Sequence, residues 1–91
     1  MKLYKLKVIP VQAFQWTGSN FTQLDQHFSN KGWRKLALAS DSSLHVIISQ
    51  YPTRKVNVGD YLFFDEDGYN IRIIPEAEFN LRYEPIGVKN G

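Results

Sequence analysis

The chain has 91 residues, no cysteine, and eleven Lys and Arg against nine Asp and Glu, for a formal net charge of +2. That length fits one domain spanning 1–91, able to bury roughly 60–65% of its unfolded surface, and a 43% hydrophobic share argues against disorder. The missing cysteines exclude disulfide staples, Cys-based zinc sites and thiol nucleophiles.

The small net charge is a cancellation. Residues 1–55 hold eight of the basic groups but only Asp25 and Asp41 among the acids. Residues 56–91 hold three basic groups, Arg72, Arg82 and Lys89, and seven of the acids. No apolar run follows Lys2 as a signal peptide would require, and the uncharged stretch from Val8 to Leu24 is too polar to span a membrane. The expectation is a cytoplasmic protein with no membrane partner.

In chain order, Tyr4, Leu6 and Val8 alternate with Lys5 and Lys7, the period of a strand with one wet face. After Pro10 the pattern continues to Trp16, with Phe14 and Trp16 on one face, as one strand or two joined at a kink. Thr17 to Asn20 reads as a turn, in which Ser19 or Asn20 is placed to cap a helix. Phe21, Leu24 and Phe28 form the apolar stripe of that helix, closed by Asn30-Lys31-Gly32. From Trp33 the period returns to two. A hairpin runs through Asp41-Ser42-Ser43 into Leu44 to Ile48, and Tyr51-Pro52-Thr53 breaks it. Val56 and Val58 suggest a short strand. Tyr61 to Phe64 and Tyr69 to Ile74 form a second hairpin around Asp65-Glu66-Asp67-Gly68, a type I turn closed by a bulge. Pro75 opens a helical turn over Glu76 to Phe79. Leu81 to Pro85 reads as a last strand, and residues 87–91 as a frayed tail. The fold class is α+β, mainly β: a small curved antiparallel sheet or partly open barrel, with one short N-terminal helix and a helical turn near the C-terminus.

Chemistry-bearing motifs are sparse. Neither His27 nor His45 has a second histidine at ligand spacing, so no metal is expected. Asp65-Glu66-Asp67-Gly68 fails the calcium-loop pattern, because Tyr69 and Asn70 fall where a ligand and a glycine are needed. No nucleophile elbow and no phosphate-cradling glycine run occurs. The expectation is a binding protein without a catalytic residue or cofactor.

Two candidate binding patches emerge. Lys31, Arg34 and Lys35 surround Trp33, and Arg54 and Lys55 follow Tyr51; basic groups among aromatics suit phosphates and stacked bases. Trp33 itself reads either as a stacking platform or as a core plug. Asp65, Glu66 and Asp67 form an acidic tip suited to a basic protein partner.

The segment from Val8 to Asn20, with Gln15-Trp16-Thr17-Gly18, and the closing pattern Gly59-Asp60-Tyr61, Gly68-Tyr69, Pro75 to Phe79 and Tyr83-Glu84-Pro85 together resemble a widespread family of small phage and prophage proteins. That resemblance implies a phage-encoded protein made inside a bacterium. The family's closing hairpin carries a basic tip where this chain has Asp65 to Asp67, so a ligand contact from that hairpin does not transfer. Three functions follow as expectations. The favoured one is an inhibitor of a host defence system that occludes a bacterial protein surface. The alternatives are a nucleotide-signal sponge or nucleic-acid-binding module, and an oligomeric structural or regulatory phage protein, with a homodimer as its simplest form.

Overall fold

The computed structural model describes residues 2–4, 10–30 and 32–86. Its elements are β1 (Phe14–Gln15), α1 (Phe21–Phe28), β2 (Arg34–Leu38), β3 (Leu44–Ile48), β4 (Arg54–Val56), β5 (Tyr61–Phe64), β6 (Ile71–Ile74) and α2 (Glu76–Arg82). The strands form two three-stranded antiparallel sheets, β1-β5-β6 and β2-β3-β4. The α+β, mainly β reading therefore holds. The sheets do not close into a barrel, because β1 has two residues and β4 three, too few to carry a ladder round a closed wall.

Both hairpins form, but the second returning strand starts at Ile71 rather than Tyr69, because Asp65 N–H donates to the Asn70 carbonyl and Tyr69 and Asn70 stay in the turn. Arg34 pairs with Ile48 and Leu38 with Leu44 across the Asp41–Ser43 turn, and Phe64 pairs with Ile71 across the 65–70 turn. Alternation then sorts the side chains. Leu36, Leu44, Val46, Ile48 and Val56 from one sheet, Leu62 and Ile71 from the other, and Leu24 and Phe28 from α1 share one core. The other face of β1-β5-β6 carries Tyr61, Phe63 and Ile74, and α2 covers it: Phe79 stacks on Tyr61 at 4.0 Å and Tyr83 meets the edge of Phe63 at 5.5 Å.

Trp16 is 0% exposed at the centre of the core. Its indole N–H donates to the Ser42 carbonyl at 2.9 Å, its backbone N–H donates to the Asp60 carbonyl, and its own carbonyl accepts from Gly59 N–H at 2.7 Å. One residue thereby ties the β2–β3 turn to the approach of β5. Gln15 Nε2 donates to the Gly59 carbonyl beside it. Gly18 has φ +91°, a backbone conformation that a side chain rarely adopts.

Several local expectations are corrected. Neither Ser19 nor Asn20 caps α1 with its side chain. Asn20 turns back instead: its Oδ1 accepts from Thr17 N–H and hydroxyl, and its Nδ2 donates to the Gln15 carbonyl. Helix α1 ends at Ser29 in extended backbone, and Gly32 takes its left-handed φ of +90° later, in the link to β2. The fourth strand is Arg54–Val56, and Val58 lies exposed in the following turn. Leu81 to Pro85 is not a strand. Helix α2 runs through Arg82, held by the Glu78–Arg82 ion pair at 3.3 Å and the Phe79–Tyr83 stack at 4.7 Å, both at i, i+4. Pro85 then disfavours further helix. Of the expected first strand, residues 5–9 lie outside the described residues, as does the tail 87–91; residues 2–4 and 10–13 are irregular.

One sheet edge is closed. The Asn30 side chain accepts from Arg34 N–H, Asn30 N–H donates to the Arg34 carbonyl, and Ser29 Oγ accepts from Leu36 N–H. The tail of α1 thus occupies ladder positions that an incoming strand would need. Replacing Trp16 with Ala removes the central side chain and orphans the Ser42 carbonyl. Urea denaturation of Trp16→Ala is expected to show a loss of about 3–5 kcal/mol, where a surface tryptophan would lose under 0.5 kcal/mol.

Candidate functional site

The site is built where the inner face of β2-β3-β4 meets the β5–β6 turn. Arg34 and Arg54 both lie on that inner face, since Arg34 pairs with Ile48 and Arg54 with Val46. Arg34 is only 8% exposed. Its Nε donates to the Phe28 carbonyl at 2.6 Å, the last turn of α1, and its Nη1 donates to the Tyr69 carbonyl at 3.1 Å. Its guanidinium carbon lies 4.7 Å from the Trp33 ring centre and 4.6 Å from that of Phe64. No carboxylate pairs with it among the described residues. Two carbonyls and two aromatic faces replace its water. Burial lowers its pKa and the neighbouring Tyr69 opposes that, yet a guanidinium stays charged at any working pH.

Arg54 Nη2 donates to Asn70 Oδ1 at 3.0 Å, and burial lowers its pKa as well. The two arginines thus hold consecutive residues of the turn, Tyr69 and Asn70. The basic half of the sequence interlocks with the acidic hairpin. Above these clamps lies an aromatic edge. Tyr69 stacks on Trp33 at 4.6 Å with an interplanar angle of 16°, and Tyr51 meets Tyr69 edge-on at 6.2 Å. Tyr51 is 53% exposed and Tyr69 38%. Trp33 is half-buried, so it is neither a free platform nor a core plug: Tyr69 covers one of its faces.

The acidic tip is beside this edge. Asp67 Oδ1 accepts from the backbone N–H of Tyr69 and Asn70, which lowers its pKa and orders the turn. Asp65 accepts from Glu66 N–H and lies 4.0 Å from Arg72. Glu66 is exposed.

The basic patch expected around Trp33 does not assemble as one surface. Trp33, Arg34, Tyr51 and Arg54 come together. Lys35 and Lys55 leave on the opposite face of the sheet, because alternation carries each away from its arginine neighbour. Lys55 pairs there with Asp41 at 3.4 Å; hydrogen bonds from the Ser43 side chain and N–H, with Lys55 adding less, hold that carboxyl at about 2. Lys31 lies outside the described residues. Tyr69 and Asn70 belong to the site yet carry no local signal for it; their place is set by the arginines of a distant hairpin. Among the described residues no group of three His, Cys, Asp or Glu is placed to hold a metal ion, and no helix is long and apolar enough to cross a membrane.

Behind Arg34, His27 packs against Phe14, Phe28 and Phe64, with ring centres at 4.4, 4.7 and 5.4 Å. Burial lowers its pKa below 6.5, and the Arg34 charge adds to the shift. The folded chain therefore binds fewer protons than the unfolded one once pH falls below about 6.5. Stability is full above that value, declines as pH falls toward the folded pKa, and levels off beneath it. Denaturation between pH 7 and 5 is expected to show this decline, with His27→Phe flattening it. Arg34→Met is expected to cost about 2–4 kcal/mol by leaving two carbonyls unpaired, and to quench the near-ultraviolet circular dichroism of the Trp33–Tyr69 pair.

No family model, curated protein or solved structure matches the chain.

Proposed function

We propose that the chain is a non-enzymatic binding protein, encoded by a phage or prophage and acting in the bacterial cytoplasm, that inhibits a host defence system by covering a surface of one of its proteins. The phage setting is carried by the resemblance of the Gln15-Trp16-Thr17-Gly18 and Gly59-Asp60-Tyr61 segments to that family. The mode of action is supported by one observation above all: the exposed Tyr51–Tyr69 edge, stacked on Trp33 and held from behind by Arg34 and Arg54.

Aromatic side chains that are already stacked lose little freedom when a partner covers them. They supply the large contact area that dominates protein interfaces. Glu66 and Asp67 stand beside them on a turn ordered by its own hydrogen bonds. Fixed negative charge next to an apolar edge selects a partner with a basic surface and speeds encounter with it. A nucleotide sponge at the same place is less well supported. It would need the lysines with the arginines, and Lys35 and Lys55 face away while Arg34 is spent on backbone carbonyls.

The test is capture from lysates of phage-susceptible bacteria with tagged wild type, Tyr51→Ala/Tyr69→Ala and Glu66→Lys/Asp67→Lys, followed by binding of the purified captured protein. A host protein should be retained by the wild type, bind the tyrosine variant about 30-fold more weakly, consistent with a loss of about 2 kcal/mol at an interface centre, and associate more slowly with the charge-reversed variant. Equal retention by all three, or no enriched host protein in any strain, overturns the proposal.

A further inference from the structure

Apart from the aromatic edge, an open groove of about 640 Å³ runs between the segment at Pro10–Gln12, the hairpin of β5 and β6, and the end of α2. It is of the size that takes a small ligand, about 300–1,000 Å³. Two cations reach it, Arg72 from β6 and Arg82 from α2. Each has one carboxylate partner among the described residues. Arg72 is 4.0 Å from Asp65, the limit of an ion pair, and Arg82 is held at 3.3 Å by Glu78, which does not line the groove. Both side chains remain about half exposed, so exchange of a solvated carboxylate for a ligand anion carries little desolvation penalty.

The remaining wall is of two kinds. Tyr83 supplies the aromatic surface; Phe63 beneath it is 3% exposed, covered by the Tyr83 ring at 5.5 Å and the Arg72 guanidinium at 5.8 Å. Asp65 and Glu66 contribute carboxylates to the same space. A ligand that only brought negative charge would meet these carboxylates with nothing to offer. A ligand that satisfies the whole wall needs an anionic group for the arginines, hydroxyl or amino donors for the carboxylates, and a flat body for the aromatic side. We propose that this groove is a nucleotide-binding site: phosphate oxygens pair with Arg72 and Arg82, ribose hydroxyls or base amino groups donate to Asp65 and Glu66, and the base packs against Tyr83.

Glu66 belongs both to this groove and to the acidic tip beside the aromatic edge, so the two sites are separated by substitutions at Arg72 and Arg82 on one side and at Tyr51 and Tyr69 on the other. The probes are the four ribonucleoside 5′-monophosphates and inorganic phosphate, titrated into isotopically labelled protein and followed by amide and arginine side-chain shifts. Saturable shifts centred on Arg72, Arg82 and Tyr83 are expected with at least one nucleotide. Binding should weaken at least tenfold in Arg72→Gln/Arg82→Gln and stay unchanged in Tyr69→Ala. Arg82→Gln alone, at an exposed helix end, should give a smaller loss with the fold intact. Inorganic phosphate should bind far more weakly than the nucleotide. Absence of saturation at millimolar nucleotide overturns the assignment. So does binding that survives the double substitution, that follows Tyr69, or that inorganic phosphate matches.

Discussion

The buried guanidinium of Arg34 is the interaction around which the molecule is arranged. A cation taken out of water needs hydrogen bonds and polarisable neighbours at once. Arg34 finds the Phe28 carbonyl at the end of α1, the Tyr69 carbonyl in the β5–β6 turn, and the rings of Trp33 and Phe64. These partners come from the helix, from the β5–β6 hairpin of the other sheet and from the linker between α1 and β2, while Arg34 itself stands on β2. Trp16, fully buried, performs the apolar version of the task on the other hairpin. A small domain with no disulfide and no closed barrel has few ways to fix its layers relative to one another. Here one charged and one aromatic side chain do so.

That constraint also shapes the surface. Because Arg34 and Arg54 must point inward to hold Tyr69 and Asn70, their sequence neighbours Lys35 and Lys55 must point outward. A patch that is continuous in sequence is thereby divided between two faces. What remains beside the acidic tip is an aromatic edge with its cations behind it. The charge split between the two parts of the chain is partly consumed inside the fold, where Arg34 and Arg54 hold the acidic hairpin, while the carboxylate tip and the lysines of β2 and β4 remain exposed.

Much of the scaffold is written locally. The i, i+3, i+7 stripe of Phe21, Leu24 and Phe28 marks α1, and Asp41-Ser42-Ser43 and Asp65-Glu66-Asp67-Gly68 mark the hairpin turns. Alternation at Trp33 to Leu38 shows two faces but not which one is buried, because an arginine normally reads as surface. Its burial is decided by the helix terminus and the opposite hairpin, both distant in sequence. For the same reason Tyr69 and Asn70 carry no mark of their role. The length of α2 is a different case: the i, i+4 pairs Glu78–Arg82 and Phe79–Tyr83 are present in the sequence and carry the helix through Arg82. The groove at Arg72 and Arg82 depends on α2 being a helix, so a strand reading of Leu81 to Pro85 does not show it.

The claim that Arg34 serves the fold and not a ligand is tested most directly by nuclear magnetic resonance of its Nε–H. Solvent exchange of that proton should be slowed strongly relative to Arg82, whose side chain is exposed on α2, with cross-peaks from Arg34 to the Trp33 and Phe64 rings. Exchange as fast as that of Arg82, without ring contacts, would contradict the account and return Arg34 to the surface as a free cation.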